Sequence, residues 1–168
     1  ISYFSVDDDI SFPSGEIDLT AGGNRSVNCI ADFYDVENDT IAFNSSSFFD
    51  NSLSSYFSVN DLNSHYTNNS CTFSFNVTTN HTLVNCTYGM AYFANSNNWN
   101  CTFNITDNNG YTLLYSNTTF VNKLLSISIP SEIDYGSFGT GAVSDEVMFN
   151  VSNFGNARIN LSLYGYAV

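Results

Sequence analysis

Basic residues are nearly missing from this chain: Lys and Arg total three against sixteen Asp and Glu, for a formal net charge of −13. That balance argues against nucleic acid as a partner, because phosphate binding needs clustered cations. It argues equally against an anionic membrane surface. Charge of either sign is scarce, 11% of residues where ordinary soluble domains carry about 25%. No apolar run reaches the roughly 18 residues of a membrane helix, so no membrane-spanning segment is expected. No signal peptide is visible, and an exported protein would be seen here in mature or trimmed form. The familiar catalytic signatures are missing too: no Gly-x-Ser-x-Gly elbow, no His-Glu-x-x-His, no phosphate loop with its Lys. Gly136, Gly139 and Gly141 are spaced like a glycine loop, but no helical pattern follows, so they read as a turn. No catalytic residues and no cofactor are expected, and the chain does not read as an enzyme.

Apolar residues, by contrast, are plentiful: 43% hydrophobic and 16% aromatic over 168 residues, enough for a packed core rather than disorder. They alternate. In Trp99 to Thr106, Trp99, Cys101, Phe103 and Ile105 interleave with Asn100, Thr102, Asn104 and Thr106, and a strand sends such sets to opposite faces. Period-2 runs separated by turn clusters predict strands near 16–20, 26–33, 40–44, 54–60, 71–78, 82–93, 99–106 and 111–121. Turns are expected at Ala21 to Asn24, Thr79 to His81, Ala94 to Asn98 and Asp107 to Gly110, the last containing Asn-Gly. Further strands are expected in Leu124 to Pro130, Glu132 to Phe138, Asp145 to Asn153 and Ala157 to Val168. The fold class is therefore all-β: an immunoglobulin-like antiparallel β-sandwich over 16–122, followed by a short, incomplete sandwich-like unit over 123–168, with an extended segment, 1–15, in front.

The strongest local signal is the Asn-x-Ser/Thr glycosylation triplet. It occurs twelve times, at Asn24, Asn38, Asn44, Asn68, Asn76, Asn80, Asn85, Asn100, Asn104, Asn117, Asn150 and Asn160. Chance placement of 25 Asn among 38 Ser and Thr would give about six. In the alternating runs the acceptor falls on the polar face, as with Asn76, Asn100, Asn104, Asn150 and Asn160. Heavy N-glycosylation is the expectation, with sugar replacing Lys and Glu as the solubilising layer. Polar strand-face or loop residues remain the competing reading for individual sites.

Four cysteines allow three pairings. Cys29 and Cys101 each lie mid-strand, 72 residues apart, in the manner of an inter-sheet pin. Cys71 and Cys86 flank a hairpin. The expected bonds are Cys29–Cys101 and Cys71–Cys86, which places the protein in an oxidising, extracellular compartment. A zinc site is not supported, since no Cys-x-x-Cys occurs and the two His lack ligand spacing.

The strings TAGGNRSVNCIADFYDVEND (Thr20 to Asp39), HYTNNSCTF (His65 to Phe73) and YFANSNNWNCTFNITDNNG (Tyr92 to Gly110) resemble the immunoglobulin-like domains of archaeal cell-surface proteins. ISIPSEIDYGSFGTG (Ile127 to Gly141) and VMFNVSNFGNARINLSLYGYAV (Val147 to Val168) resemble the next domain of that family. The resemblance implies an envelope, S-layer-like or appendage component at the cell surface, without catalytic activity.

Two acidic clusters stand out, Asp7 to Asp9 and the group Asp32, Asp35, Glu37 and Asp39. Calcium takes six to eight oxygens of this kind, so the second group is a calcium candidate; a solvated acidic turn is the alternative. His65 and His81 sit in polar surroundings and read as exposed loop residues. Phe48, Phe49, Tyr56 and Phe57 stand in a polar stretch, as core packing or as a sticky surface.

The functional expectation is a structural subunit of an extracellular surface filament or lattice, its partners being copies of itself. An adhesin or ligand-binding ectodomain is the alternative. The short second unit leaves Ile127, Ile129, Val147, Phe149, Val151, Ile159, Leu161 and Leu163 without a covering layer. The apolar Ile1 to Val6, with Asp7 to Gly15 as linker, is expected to serve as a donor strand exchanged between neighbours.

Overall fold

The computed structural model describes residues 3–9, 15–34, 42–76 and 80–164 of the chain. Among them there is no helix. Long alternating strands build two sheets. The four-stranded sheet contains β1 (Tyr3–Asp7), β3 (Asn24–Tyr34), β7 (His81–Ala91) and β6 (Thr72–Asn76), in the order β1-β3-β7-β6 and antiparallel throughout. The five-stranded sheet contains β2 (Glu16–Ile17), β9 (Thr112–Val121), β8 (Asn98–Thr106), β4 (Ala42–Asp50) and β5 (His65–Asn68), in the order β2-β9-β8-β4-β5. All its pairs are antiparallel except β2 with β9, which run parallel.

The sheets close on one another through their odd-numbered or even-numbered sets, as the period-2 pattern requires. β3 contributes Val27, Cys29, Ala31 and Phe33; β7 contributes Val84, Cys86, Tyr88 and Met90; β8 contributes Trp99, Cys101, Phe103 and Ile105. Ring pairs cross the interface, Phe33 with Phe103 at 5.9 Å and Phe48 with Tyr88 at 5.6 Å. The Cys29–Cys101 disulfide joins β3 to β8, one strand from each sheet, and Cys71–Cys86 joins the start of β6 to β7. Tight turns link the strands where expected. In the 107–110 turn Gly110 sits at φ +84°, a conformation that glycine adopts freely, and its amide donates to the Asp107 carbonyl.

Four differences from the sequence reading have physical causes. First, the stretch near 54–60 is a loop. β4 is buried on both faces from Ser46 to Asp50, because residues 51–64 fold back over its outer face. Ser47 Oγ donates to the Tyr56 carbonyl and the Ser54 amide to the Asp50 carbonyl. Phe48 and Phe49 are therefore core, while Phe57 stays exposed. Second, the strand that completes this edge is β5, too short at four residues to show a period. Third, residues 123–164 contain only one small pairing, β10 (Ile127–Ser128) with β11 (Ser152–Asn153). The alternating runs are present, but lone strands without neighbours have nothing to satisfy their backbone groups or cover their apolar sets.

The fourth difference concerns the amino-terminal segment. Tyr3–Asp7 is not a strand held out for a neighbour; it pairs with β3 of its own chain, Phe4 opposite Ala31 and Val6 opposite Cys29. Its own core recruits it: Val6 is buried, Phe4 packs 5.2 Å from the Phe103 ring, and Asn117 Nδ2 donates to the Phe4 carbonyl. Asp7 locks the strand's end by accepting from the Asp9 and Gly15 amides.

The junction to 123–164 combines backbone and side-chain contacts, with the Phe154 ring 6.0 Å from that of Tyr92. The Gly22 amide donates to the Phe154 carbonyl, and Asn156 Nδ2 bridges the carbonyls of Ala94 and Asn122. Gly155 lies so close to Leu124 that a Cβ there would sit 2.1 Å from the Leu124 carbonyl oxygen. Only glycine fits.

Candidate functional site

The glycosylation acceptors are distributed over both sheets and both units. Asn24, Asn44, Asn150 and Asn160 are exposed; Asn68, Asn80, Asn85, Asn100, Asn104 and Asn117 are half-buried. Asn38 and the side chain of Asn76 lie outside the described residues. Strand alternation positions Asn24, Asn85, Asn100 and Asn104, each of opposite parity to the core residues of its strand; Asn117 instead shares parity with the buried Thr119 and Val121, and its Nδ2 donates to the Phe4 carbonyl. Asn44 is positioned by a bulge instead: β4 slips register against β8 between Phe43 and Ser45. Its Nδ2 donates to Asn104 Oδ1 at 3.0 Å and to Thr106 Oγ1 at 2.7 Å. Asn80 occupies the left-handed region at φ 56°, the tip of the β6–β7 turn, where asparagine is one of the few tolerated side chains.

Of the acidic group proposed for calcium, Asp35, Glu37 and Asp39 lie outside the described residues. Asp32 belongs to β3, and its carboxylate meets His81 Nδ1 at 2.7 Å. Among the described residues no group of three or more His, Cys, Asp or Glu is arranged to hold a metal ion. The other acidic cluster is structural: Asp7 caps its own strand's end, and Asp8 pairs with Arg25 Nε at 2.7 Å while accepting from the Asp18 amide.

A buried polar knot was not visible in the sequence. His65 is wholly enclosed, stacked on Phe49 at 5.7 Å, with Nδ1 2.9 Å from Ser54 Oγ and Nε2 3.2 Å from Thr67 Oγ1. The reading of this histidine as an exposed loop residue is corrected: it pairs with Phe49 across β4 and β5, and the 51–64 loop covers it. His81 is also not a loop residue; it opens β7. Beside the knot lies Asp50, fully buried. Its Oδ1 accepts from the Ser52 amide, Ser52 Oγ and Asn97 Nδ2, and its Oδ2 from Asn95 Nδ2. Four donors thus stand in for a counter-ion. The Asp50-Asn51-Ser52 sequence, with side-chain acceptance two residues on, is the one local cue to this turn.

No family model, no curated protein and no solved structure matches the chain. Function must therefore be argued from the residues themselves.

Burial holds the His65 pKa below the ordinary histidine value, against the opposing charge of Asp61. The neutral ring belongs to the folded state, so the unfolded chain binds the proton more readily. The resulting stabilisation is complete above about pH 6.5, the unfolded value, and is lost as pH falls from there toward the depressed folded value. The expected result is a denaturant midpoint that drops between about pH 7 and 5, with a smaller drop in His65→Gln. Parallel pH profiles for the two proteins would refute it.

The tyrosines of the core show the same physics. Burial raises the pKa of Tyr88, whose hydroxyl donates to Ser46 Oγ at 2.6 Å, and that of Tyr66, whose hydroxyl donates to the Leu62 carbonyl. Both are un-ionised anchors and no chemistry is assigned to them.

Proposed function

We propose that this chain is a structural subunit of an extracellular surface filament or lattice, N-glycosylated, whose second unit is covered by a neighbouring copy. The observation that carries the reading is the exposure of apolar side chains in residues 123–164. Met148 is 95% exposed, Val143 93% and Tyr164 85%, and Leu125, Ile129, Phe138, Leu161 and Leu163 are all more than half exposed. Scattered apolar residues on a surface need no explanation. A whole unit of alternating apolar sets with a single two-residue strand pair does, because exposed apolar residues concentrated in one unit point to an interaction site.

In this proposal the contact is heterologous: one copy's second unit meets a different surface on the next, where Phe57 and Val59 of the sandwich are 81% and 86% exposed. Asymmetric contacts do not close on themselves and propagate into filaments or open lattices. The donor in this reading is not Tyr3–Asp7, which is already used at the edge of its own sheet. The two disulfides suit an oxidising exterior, and no helix among the described residues is long and apolar enough to cross a membrane. None of the acceptor asparagines with described side chains is fully buried, which suits glycan attachment. The archaeal cell-surface resemblance belongs with this reading.

The experiment is negative-stain microscopy and sedimentation of native material, with its intact mass. Ordered polymers are expected, built of subunits heavier than the 18.5 kDa polypeptide by several glycans. Leu161→Asp with Leu163→Asp should shift the material to monomer. A monodisperse native particle would sink the subunit reading and favour an adhesin.

A further inference from the structure

Of the chain's three basic residues, Arg25 is committed to Asp8. The other two, Lys123 and Arg158, make no ion pair with any carboxylate among the described residues. Both line one cavity of about 650 Å³ where the sandwich meets residues 123–164. In a molecule of net charge −13, both cations that lack an ion pair among the described residues converge on one cavity.

The wall opposite them is rigid and its hydrogen bonds are spent. Asn95 and Asn97 donate their amides to Asp50, which spreads that buried charge over four donors. Asn156 is held at three points, accepting from the Leu124 amide and donating to the Ala94 and Asn122 carbonyls. The loop backbone is used as well: the Asn95 amide goes to Asn63, the Asn95 carbonyl to Trp99 Nε1, and the Asn97 carbonyl to the Val121 amide. One group is left over. The Ser96 hydroxyl is buried at this wall with no hydrogen-bond partner. Leu53 and Leu125, each 72% exposed, flank the opening.

We propose that this cavity is a binding site for an acidic saccharide. A carboxylate or sulfate on the sugar would be held by Lys123 and Arg158, and the sugar's C–H face would lie on the two leucines. Charge-assisted hydrogen bonds to cations supply most of the recognition. The cavity is of the size that takes one or two sugar rings, within the range of ordinary ligand pockets. An acidic peptide fits less well, because the Asn95 amide and carbonyl, the Asn97 carbonyl and the Asn98 amide and carbonyl are already bonded, which leaves too few groups in 95–98 for an added strand.

The test is calorimetric titration of the full chain with glucuronate, glucose 6-sulfate, glucose and tri-aspartate. Glucuronate and glucose 6-sulfate should bind, glucose at least about tenfold more weakly, and added salt should weaken the acidic sugars. Lys123→Gln with Arg158→Gln should lower their affinity by about tenfold or more. Both side chains are exposed, so this variant keeps the wild-type melting temperature, which is measured alongside. Amide shifts at Asn95–Asn97 and Asn156 on titration would locate the sugar independently. The site is refuted by equal affinity for glucose and glucuronate, by unchanged affinity in the double glutamine variant, by tri-aspartate binding as tightly as the sugars, or by no acidic sugar binding at millimolar concentration.

Discussion

Replacing both cysteines of the inter-sheet bond, Cys29→Ala with Cys101→Ala, is expected to cost about 4 kcal/mol of unfolding free energy, against about 3 kcal/mol for Cys71→Ala with Cys86→Ala. The difference follows from what each bond closes. Cys29–Cys101 spans 72 residues and ties β3 of one sheet to β8 of the other; Cys71–Cys86 spans fifteen and ties neighbouring strands of the same sheet. Without the first, the unfolded chain regains the freedom of a long loop. Without the second it regains only the freedom of a fifteen-residue loop. Burial widens the gap. Cys29 and Cys101 are both fully enclosed, so alanine leaves a void where two sulfurs packed, whereas in the other pair Cys86 is enclosed but Cys71 is half-buried at a sheet edge. Denaturant unfolding of the three proteins under oxidising conditions measures this directly. An equal loss in the two variants, or a larger one for Cys71 and Cys86, would show that the cross-sheet bond does not organise the sandwich.

How much of this was legible beforehand depended on whether one face of a strand was wet. β3, β7 and β8 have one face on the core and one on solvent or half-solvent, and their alternation located them within a residue or two. β4 has no wet face over its last five residues, because a loop lies across it, and alternation cannot report burial on both sides. The same covering loop hid His65 and Asp50. Their burial depends on a tertiary contact between residues 51–64 and the outer face of β4, and no local pattern encodes that. Tyr3–Asp7 alternates well enough to be recognised as a strand, but a five-residue period carries no information about which sheet it joins; that was decided by Phe4 and Val6 fitting beside Phe103 and Cys29.

Residues 123–164 are the converse case. Their alternation is as clear as that of the sandwich, yet all but four residues remain outside any strand pair. Pattern specifies which residues would share a face, not whether a second layer exists to cover it. The candidate saccharide cavity was equally hidden. Lys123 and Arg158 are 35 positions apart in sequence and meet only because Gly155 lets the 153–156 turn close onto Leu124.

Trp99→Ala is expected to destabilise the sandwich by about 3–5 kcal/mol, the range for deleting a large buried aromatic side chain. Trp99 is the largest enclosed side chain and has no exposed surface. Phe48 lies 5.0 Å from it and Tyr66 5.9 Å, ring to ring, so its loss removes packing from β4, β5 and β8 together. Trp99 has a second role that phenylalanine separates from the first. Nε1 donates to the Asn95 carbonyl at 2.8 Å, pinning the 94–98 loop that in turn holds Asp50 through Asn95 and Asn97. Trp99→Phe keeps most of the apolar volume but strands that carbonyl, at a cost of about 1–3 kcal/mol. The loop should then loosen while the core persists. In hydrogen exchange, the Asn95 amide, bonded to the Asn63 carbonyl, and the Val121 amide, bonded to the Asn97 carbonyl, should lose protection in Trp99→Phe while those of Val27 and Val84 keep it. In Trp99→Ala all four should lose protection, because global unfolding becomes accessible. Uniform loss in Trp99→Phe, or none at Asn95 and Val121, would show that the indole acts as apolar filler alone and that the loop carrying Ser96 is held by other bonds.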